Sequence, residues 1–512
     1  MDAAKQLKQD VREGRVDADR LVELVVSSQR QAQQAQGQLH QALQALQQAQ
    51  QRIAELEKKL GGSPTVKTAE AYSMRAEEKR QQACGKKPQK NQKSERRGRV
   101  TTAQKIALAE RTEKVFPPNV PESDCKLSHT RPVWRFENGR TVLVAYEVYR
   151  GPNNQYGQIP DALGRSEFGL EIIVALAHLV HVVGLSFDKA CGVLNFFQNM
   201  RLRKSQVEAL LNQLSRHWEG EFETLCTLVA NSLVVHSDET SWSINSVWAF
   251  LSEKAGVVLF GVHKDSETLR LILKPASFSG ILVSDDAAVY SDFTLMQKCW
   301  AHLLRKAIKL TLLEPENADY RRLTDRLLEI YRKACRVQQD RRLSDAGRQR
   351  KVAELDDEIL ELCGPAWFAE LPPSEGAADG YRLLINELMR LMLSRQLFTF
   401  VTAAAVTTPN GKTSPVSGTN NESERTIRSP AEARDTGRTN KTLRGARRRT
   451  VNVSVLESLR LYLASFTLSS VIDEIKRWSL TGRSYFAKLA RKLRLSSPDK
   501  AVLDLIYPKP SG

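Results

Sequence analysis

The feature that most constrains this chain is an apolar run that leads directly into an acidic residue, and it occurs twice. Residues 232–242 read SLVVHSDETSW and residues 280–286 read GILVSDD. Two strands that each deliver a carboxylate at the C-terminal end, here Asp238 and Asp285, are one way in which a sheet builds a site for divalent cations. A single aspartate at a strand end more commonly starts a turn or caps a helix. Two of them, with a predicted strand hairpin between, are harder to explain as turns or caps alone.

The length and composition of the chain limit its possible architecture, partners and cellular location. The chain has 512 residues, which predicts three or more structural units. Lys and Arg number 76 against 59 Asp and Glu, and the net charge of +17 indicates a polyanionic partner such as nucleic acid. Seven cysteines without a CxxC pair argue against a disulfide scaffold or a zinc ribbon. Because the N-terminus lacks a signal-peptide core and no segment reads as a membrane span, we expect a protein of the reducing cytosol.

The first segment, residues 1–62, is predicted to be a coiled coil. Leu39, Leu46, Ile53 and Leu60 recur at intervals of seven in a Gln- and Ala-rich stretch. Such a heptad seam is typical of a dimerising helix, while a lone low-complexity helix is the alternative. The Gly and Pro residues that follow end the helix.

Residues 63–150 begin with a basic linker. Many like charges without core-forming residues indicate either an arm that neutralises DNA phosphates or a solvated linker. A strand hairpin turning at Asn138 and Gly139 follows, and Cys125 and His129 precede it. Two ligands do not make a zinc site, so zinc binding here is not predicted. The candidate DNA-binding residues of the linker are Lys86, Lys87, Lys90, Lys93, Arg96, Arg97 and Arg99.

Helical patterns occupy two further regions. Residues 151–228 contain three short helical segments with basic residues, which fit a helix-turn-helix-like DNA-binding region or a plain helical bundle. Residues 311–411 consist mainly of long charged amphipathic helices without a strand signal up to residue 396.

A third acidic residue, Glu424, lies in a predicted helix start that reads TNNESERTIR over residues 419–428. Mg²⁺ prefers oxygen ligands, so the three side chains Asp238, Asp285 and Glu424 are chemically sufficient for a site of two Mg²⁺ or Mn²⁺ ions. The long gap before the third residue is no obstacle, because a helical insertion can leave and rejoin one sheet.

Basic residues follow Glu424 closely. They suit a track for DNA phosphates beside the metal site, and a solvated basic face is the alternative. This set comprises Arg425, Arg428, Arg434, Arg438, Lys441, Arg444, Arg447, Arg448 and Arg449.

Four motifs together resemble the insertion-sequence-66 family of bacterial DDE transposases and occur in that family's order. The chain is similar to the family from the N-terminal coil to about residue 478. The motifs are HSDETSW at 236–242, LVSDDAAVY at 282–290, CWAHLLRK at 299–306 and TNNESERTIR at 419–428.

The resemblance implies an α/β multidomain chain with a ribonuclease-H-like catalytic core. Residues 229–310 and 412–470 then form the two parts of the core, residues 311–411 form the helical insertion, and residues 471–512 form a helical tail. The coiled coil and the helical DNA-binding region precede this core.

The resemblance also implies cut-and-join transposition with Mg²⁺ or Mn²⁺ held by Asp238, Asp285 and Glu424. Water is then the first nucleophile and the freed 3′-OH the second. The expected partners are the terminal inverted repeats of the element, target DNA, a second copy of the chain and small accessory proteins of the same element. We expect the protein to join the bacterial nucleoid when it binds DNA. A nuclease that cuts without joining and a DNA-binding relic are the alternatives.

Some residues near the motifs are assigned other roles. Glu239, Asp286 and Glu422 are neighbours of the three carboxylates whose side chains should diverge from them. The family usually has Gly at the position of Asp286. Cys299 and His302 match a family helix, and with no second ligand pair nearby we favour core packing over metal binding.

Overall fold

The computed structural model describes residues 100–369, 375–496 and 501–508. The predicted coiled coil and the basic residues from Lys86 to Arg99 lie outside the described residues. Within those ranges, every helix is too short or too polar to cross a lipid bilayer.

The first part of the fold is a three-stranded sheet of order β1-β3-β2. Asn138 and Gly139 both have positive φ, at 49° and 78°, which is the backbone of a two-residue hairpin turn between β2 and β3. The hairpin predicted from the sequence is thereby confirmed. The elements are α1 (Thr102–Ala107), β1 (Arg111–Val115), β2 (Lys126–Glu137) and β3 (Arg140–Arg150).

Four helices follow, and they pack against a five-stranded sheet that comes next in the chain. Trp218, which joins the third of these helices to the fourth, and Phe222 of the fourth share one hydrophobic core with Val257 and Phe260 of that sheet. The helical character predicted for this region is confirmed, but the structure has four helices where the sequence pattern predicted three. The elements are α2 (Leu170–Ala177), which continues into a π-helical turn, α3 (Phe187–Gln198), α4 (Lys204–His217) and α5 (Glu219–Ala230).

The central sheet has five strands in the order β6-β5-β4-β7-β8. β4, β5 and β6 pair antiparallel, whereas β7 and β8 run parallel to β4. The elements are β4 (Val234–Ser241), β5 (Ser246–Ser252), β6 (Gly256–Val262), α6 (Ser266–Ile272), β7 (Ile281–Ser284) and β8 (Met296–Lys298).

A helical region follows β8 in the chain. It covers the face of the central sheet that is opposite the first hydrophobic core. Successive residues of β4 face opposite sides, so that Val235 belongs to the first core and Val234 to a second core that includes Trp300 and Leu388. The elements are α7 (Trp300–Leu313), α8 (Ala318–Gln339), α9 (Asp345–Phe368), α10 (Gly376–Leu393), α11 (Thr399–Thr402), β9 (Val406–Thr407) and β10 (Thr413–Ser414).

The last helices return to the first core. The elements are α12 (Asn421–Asp435), α13 (Leu443–Tyr462), α14 (Leu468–Thr481), α15 (Tyr485–Lys492) and α16 (Val502–Ile506). The mixed α/β class is thus confirmed.

Helix α13 covers the free edge of β6. Three hydroxyl side chains one helical turn apart accept hydrogen bonds from alternate backbone N–H groups of the strand. Four helical residues rise about 6 Å and two strand residues about 6.6 Å, so the two repeats match over this length. An open sheet edge invites pairing with other chains, and α13 removes it. The bonds are Phe260 N to Thr450 Oγ1 at 3.0 Å, Val258 N to Ser454 Oγ at 2.9 Å and Gly256 N to Ser458 Oγ at 3.0 Å.

We predict that Ser454→Ala lowers the free energy of unfolding by about 1–3 kcal/mol, because the buried N–H of Val258 loses its acceptor. Ser469→Ala, on the exposed side of α14, is the matched control and should change it by less than about 0.5 kcal/mol. Urea denaturation of both variants measures the difference. Equal stability of the two variants would contradict this role of α13.

Candidate active site

The parallel pairing of β4 and β7 brings Asp238 and Asp285 to the same level. His236 lies opposite Val283 in the register, and each aspartate follows two positions later. Neighbouring strands are about 4.8 Å apart, so the two side chains emerge side by side at one end of the sheet. The local sequence explains this placement, because most of each apolar run is buried and each aspartate is only partly covered.

Glu424 reaches the same end of the sheet from the first turn of α12. The start of this helix is fixed by the fully buried Asn420, whose Nδ2 donates to the carbonyl oxygen of Ser237 at 2.7 Å. Ser237 immediately precedes Asp238. In the sequence this asparagine is a cap candidate, but its side chain makes no capping hydrogen bond. It joins α12 to β4 instead, and pattern reasoning missed that role.

The electrostatics of Asp238 agree with a shared site. Burial raises its pKa to about 7, and the negative charges of Glu239, Asp285 and Glu424 add to the shift. Asp285 and Glu424 therefore lie close enough to repel an ionised Asp238. A cation bound among these carboxylates would remove that repulsion.

The two aspartates differ from their acidic neighbours in what they contact. Within the described ranges, neither Asp238 nor Asp285 forms an ion pair with a lysine or arginine. Glu239 is neutralised by Lys264, with Oε1 at 2.6 Å from Nζ, and Oε2 accepts a hydrogen bond from Tyr290 at 2.7 Å. The charge of Glu239 is thus already balanced.

Asp286 is likewise engaged elsewhere. It forms an ion pair with Arg390 of α10 and lies 3.6 Å from Lys298. The buried Lys298 also donates to the carbonyl oxygen of Asp285 at 2.9 Å. The pair of Asp286 and Arg390 ties the helical region to the end of β7, beside the candidate site.

A cavity of about 530 Å³ opens next to Asp285. Residues from three separate segments line it: Asp285 from the end of β7, His302 and Lys306 from α7, and Asn386 and Arg390 from α10. The contribution of α10 could not be predicted from the sequence, because this helix lies about a hundred residues further along the chain and carries no motif.

Glu424 has two neighbours on α7. Its Oε1 atom lies 2.7 Å from Arg305 and 3.6 Å from Nδ1 of His302. Potential ligand atoms of Cys299, His302 and Glu424 all lie within 4.8 Å of one another. Core packing, predicted for this pair from the sequence, describes the buried Cys299 but not the partly exposed His302. Burial raises the pKa of the Cys299 thiol and lowers that of the His302 imidazole.

Four of the predicted DNA-binding residues after Glu424 are exposed: Arg425, Arg428, Lys441 and Arg444. The half-buried Arg438 donates to the carbonyl oxygen of Gly184 at 2.7 Å. Arg434 donates to Ser241 Oγ at 2.6 Å and so braces the end of β4.

The basic triplet on α13 requires a correction, because its side chains have structural partners. Arg447 contacts Asp504 at 2.8 Å and Glu219 at 3.2 Å, and Arg448 contacts Glu208 at 3.2 Å. Arg448 and Arg449 are both 5% exposed.

Arg449 lies over the aromatic rings of Trp242 and Phe260, and burial lowers its pKa to about 10. A run of basic residues predicts a charged surface only where its helix is exposed. Helix α13 is instead buried on most sides. In this conformation Arg448 and Arg449 do not belong to a DNA-contacting surface.

We predict that Asp238→Asn stabilises the metal-free protein at pH 8. The pKa of Asp238 is about 7 in the folded protein and about 3.9 in the unfolded chain. Stability of the native chain therefore falls as pH rises from about 4 to 7, and the amide variant lacks this loss. With allowance for solvent screening, we expect a gain of about 1–3 kcal/mol at pH 8 that shrinks toward pH 4.

Thermal unfolding in EDTA across this pH range measures the effect. Asp435→Asn, at the exposed end of α12, is the control. A stability difference between native protein and Asp238→Asn that does not change with pH would contradict the account.

The mixed α/β fold and the carboxylates at one sheet end agree with a DNA transposase. The model of the transposase IS66 family matches residues 165–448, which is more than half of the chain and contains all three carboxylates, so the chain belongs to this family. The family resemblance found in the motifs is confirmed. A comparison with curated proteins finds no match.

Proposed function

We propose that this transposase binds the ends of its insertion sequence, cleaves the DNA 3′ strands and joins them to target DNA. The observation that supports the proposal is that two parallel strands and a returning helix place Asp238, Asp285 and Glu424 at the same end of the sheet, near enough for Asp285 and Glu424 to raise the pKa of Asp238. Three converging carboxylates are suited to metal-assisted phosphoryl transfer.

The topology supports a ribonuclease-H-like core. Three antiparallel strands are followed by two strands parallel to the first, and a helical insertion separates the last strand from the helix that carries Glu424. This order agrees with the two-part core and insertion that the family resemblance implies.

The donor set fits Mg²⁺ or Mn²⁺, because all three side chains offer carboxylate oxygens and the two aspartates lack basic partners among the described residues. When bound, a pair of such ions activates the attacking oxygen and stabilises the leaving oxygen. The chain itself orients the ligands: Asp238 Oδ1 accepts a hydrogen bond from Glu239 N at 2.9 Å, and Asp285 Oδ1 accepts one from Ala287 N at 3.1 Å.

Exposed basic residues on three helices are the proposed path for DNA phosphates. Arg425 and Arg428 lie on α12, Arg444 lies on α13, and Arg305 and Lys306 lie on α7. The basic residues of the predicted arm, Lys86 to Arg99, are proposed to bind DNA phosphates as well. A second copy of the chain, paired through the coiled coil, would supply the second active site that two element ends require, with the element's accessory proteins as further partners in the nucleoid.

The test of function is a cleavage and strand-transfer assay on DNA that carries the element's own ends, with Mg²⁺ or Mn²⁺. We predict that Glu424→Gln lowers both activities at least about a hundredfold, because a charged metal ligand becomes a neutral amide. Glu422→Gln, an exposed neighbour on the same helix, is the matched control and should retain activity.

Other outcomes favour the alternatives. Metal-dependent cleavage without joining would indicate a nuclease. DNA binding with neither activity, with accessory proteins supplied, would indicate a relic that binds DNA only. Equal activity of Glu424→Gln and Glu422→Gln would remove Glu424 from the site.

The proposed DNA path has a separate test. The double variant Arg425→Ala/Arg428→Ala should flatten the dependence of log K on log salt by about 0.9 per lost phosphate contact, or about 1.8 in all. Arg341→Ala/Arg350→Ala changes the net charge equally on the helical insertion and should leave the slope nearly unchanged. Fluorescence anisotropy with labelled DNA gives both slopes. Equal slopes in the two double variants would place the DNA elsewhere.

A further inference from the structure

A second set of potential metal ligands lies where α7 and α12 begin. Cys299, His302 and Glu424 form the one group of three or more such residues, within the described part of the chain, whose ligand atoms lie within 4.8 Å of one another. Sulfur, imidazole nitrogen and carboxylate oxygen are the ligand types of zinc, which binds them at about 2.0–2.3 Å. Mg²⁺ takes oxygen ligands instead. The chemistry of this group therefore differs from that of the three carboxylates.

The start of helix α7 fixes the positions of the cysteine and the histidine. Cys299 occupies the N-cap position of α7, and His302 follows three residues later, so both side chains lie on the same side of the helix start. The backbone N–H of Asn420 donates to Cys299 Sγ at 3.1 Å. Hydrogen bonds to ligand atoms of this kind orient and tune metal ligands. The same residue, Asn420, thus positions both the sulfur atom and the helix that carries Glu424.

The histidine has an unused ligand atom. Nδ1 of His302 is buried, has no hydrogen-bond partner in the described part of the chain and lies 3.6 Å from Glu424 Oε1. An unpartnered buried polar atom costs free energy, and a metal ion would satisfy it. Arg305, which contacts the same carboxylate oxygen, is 56% exposed and can return to solvent when the carboxylate binds an ion.

We propose that Cys299, His302 and Glu424 bind a zinc ion, with the fourth position open to water or to a DNA phosphate oxygen. Three protein ligands and one open position are typical of zinc sites that exchange a ligand. The site goes beyond the proposed transposition chemistry, because its sulfur and nitrogen ligands come from α7. Since Glu424 belongs to both ligand sets, zinc and the catalytic cations compete for this carboxylate.

The test uses Co²⁺ as the probe on the full chain, because a cobalt–thiolate bond gives a charge-transfer absorption that carboxylate sites do not give. We expect this band to saturate at one Co²⁺ per chain and to disappear on addition of Zn²⁺. Cys299→Ser should abolish the band, and His302→Gln should weaken Zn²⁺ binding by about tenfold or more. Cys191→Ser, a half-buried thiol on α3, is the control and should retain the band.

Circular dichroism establishes that each variant is folded, and His302→Gln carries the test if Cys299→Ser does not fold. A native chain without the thiolate band, or a band that persists in both variants, would overturn the proposal. Neither result bears on transposition, because the assay contains no DNA. Conversely, a zinc site in a chain without strand transfer would leave this inference standing and reject only the proposed function.

Discussion

The site depends on how the chain returns to the sheet after the helical region. The hydrogen bond from the buried Asn420 to the carbonyl oxygen of Ser237 joins positions 183 residues apart. Together with the hydrogen bond from Arg434 to Ser241, this contact holds α12 against β4 and places Glu424 at the same end of the sheet as Asp238. A buried asparagine without partners is costly, so the bond also makes other placements of this helix unfavourable. A polar contact in the core therefore sets the geometry of the acidic residues.

The remaining helices of the return segment reinforce this placement. The hydroxyl groups of α13 bond to the edge of β6, and Gly261, with φ of 71°, brings the strand close to Ala446 of the helix. A side chain at Gly261 would be strained in that conformation. β6 and α13 are therefore packed closely together. This packing supports the sheet whose strands β4 and β7 place the two aspartates.

Charge is distributed unevenly around the site. Glu239 and Asp286 are balanced by basic side chains, while Asp238 and Asp285 have none within the described ranges. Placing the two aspartates close together lowers the stability of the fold. Functional sites commonly retain such a local cost. Without a cation, Asp238, with a pKa of about 7, is therefore partly protonated at neutral pH, and a bound cation would favour its ionised form.

Local sequence patterns predicted many of the secondary-structure elements that carry the candidate site. The two strand–carboxylate runs, the hairpin at Asn138 and the helix that begins before Glu424 were all visible in the sequence, because burial and turn chemistry act on neighbouring residues. Long-range contacts were not. The three-residue strand β8 is too short to show a period, and Arg449 resembles a surface residue in a sequence that does not reveal the burial of α13. Glu424 comes close to Cys299 and His302 only because α12 returns to this end of the sheet.

We propose that three segments distant in the sequence form one cation site. The most direct test adds Fe²⁺ in place of Mg²⁺ or Mn²⁺ and maps where locally generated hydroxyl radicals cut the polypeptide. We expect cuts near Asp238, Asp285 and Glu424 in the same preparation, all suppressed by excess Mg²⁺ and lost in Asp285→Asn. Cuts confined to one of these segments, or unchanged in Asp285→Asn, would contradict this proposal.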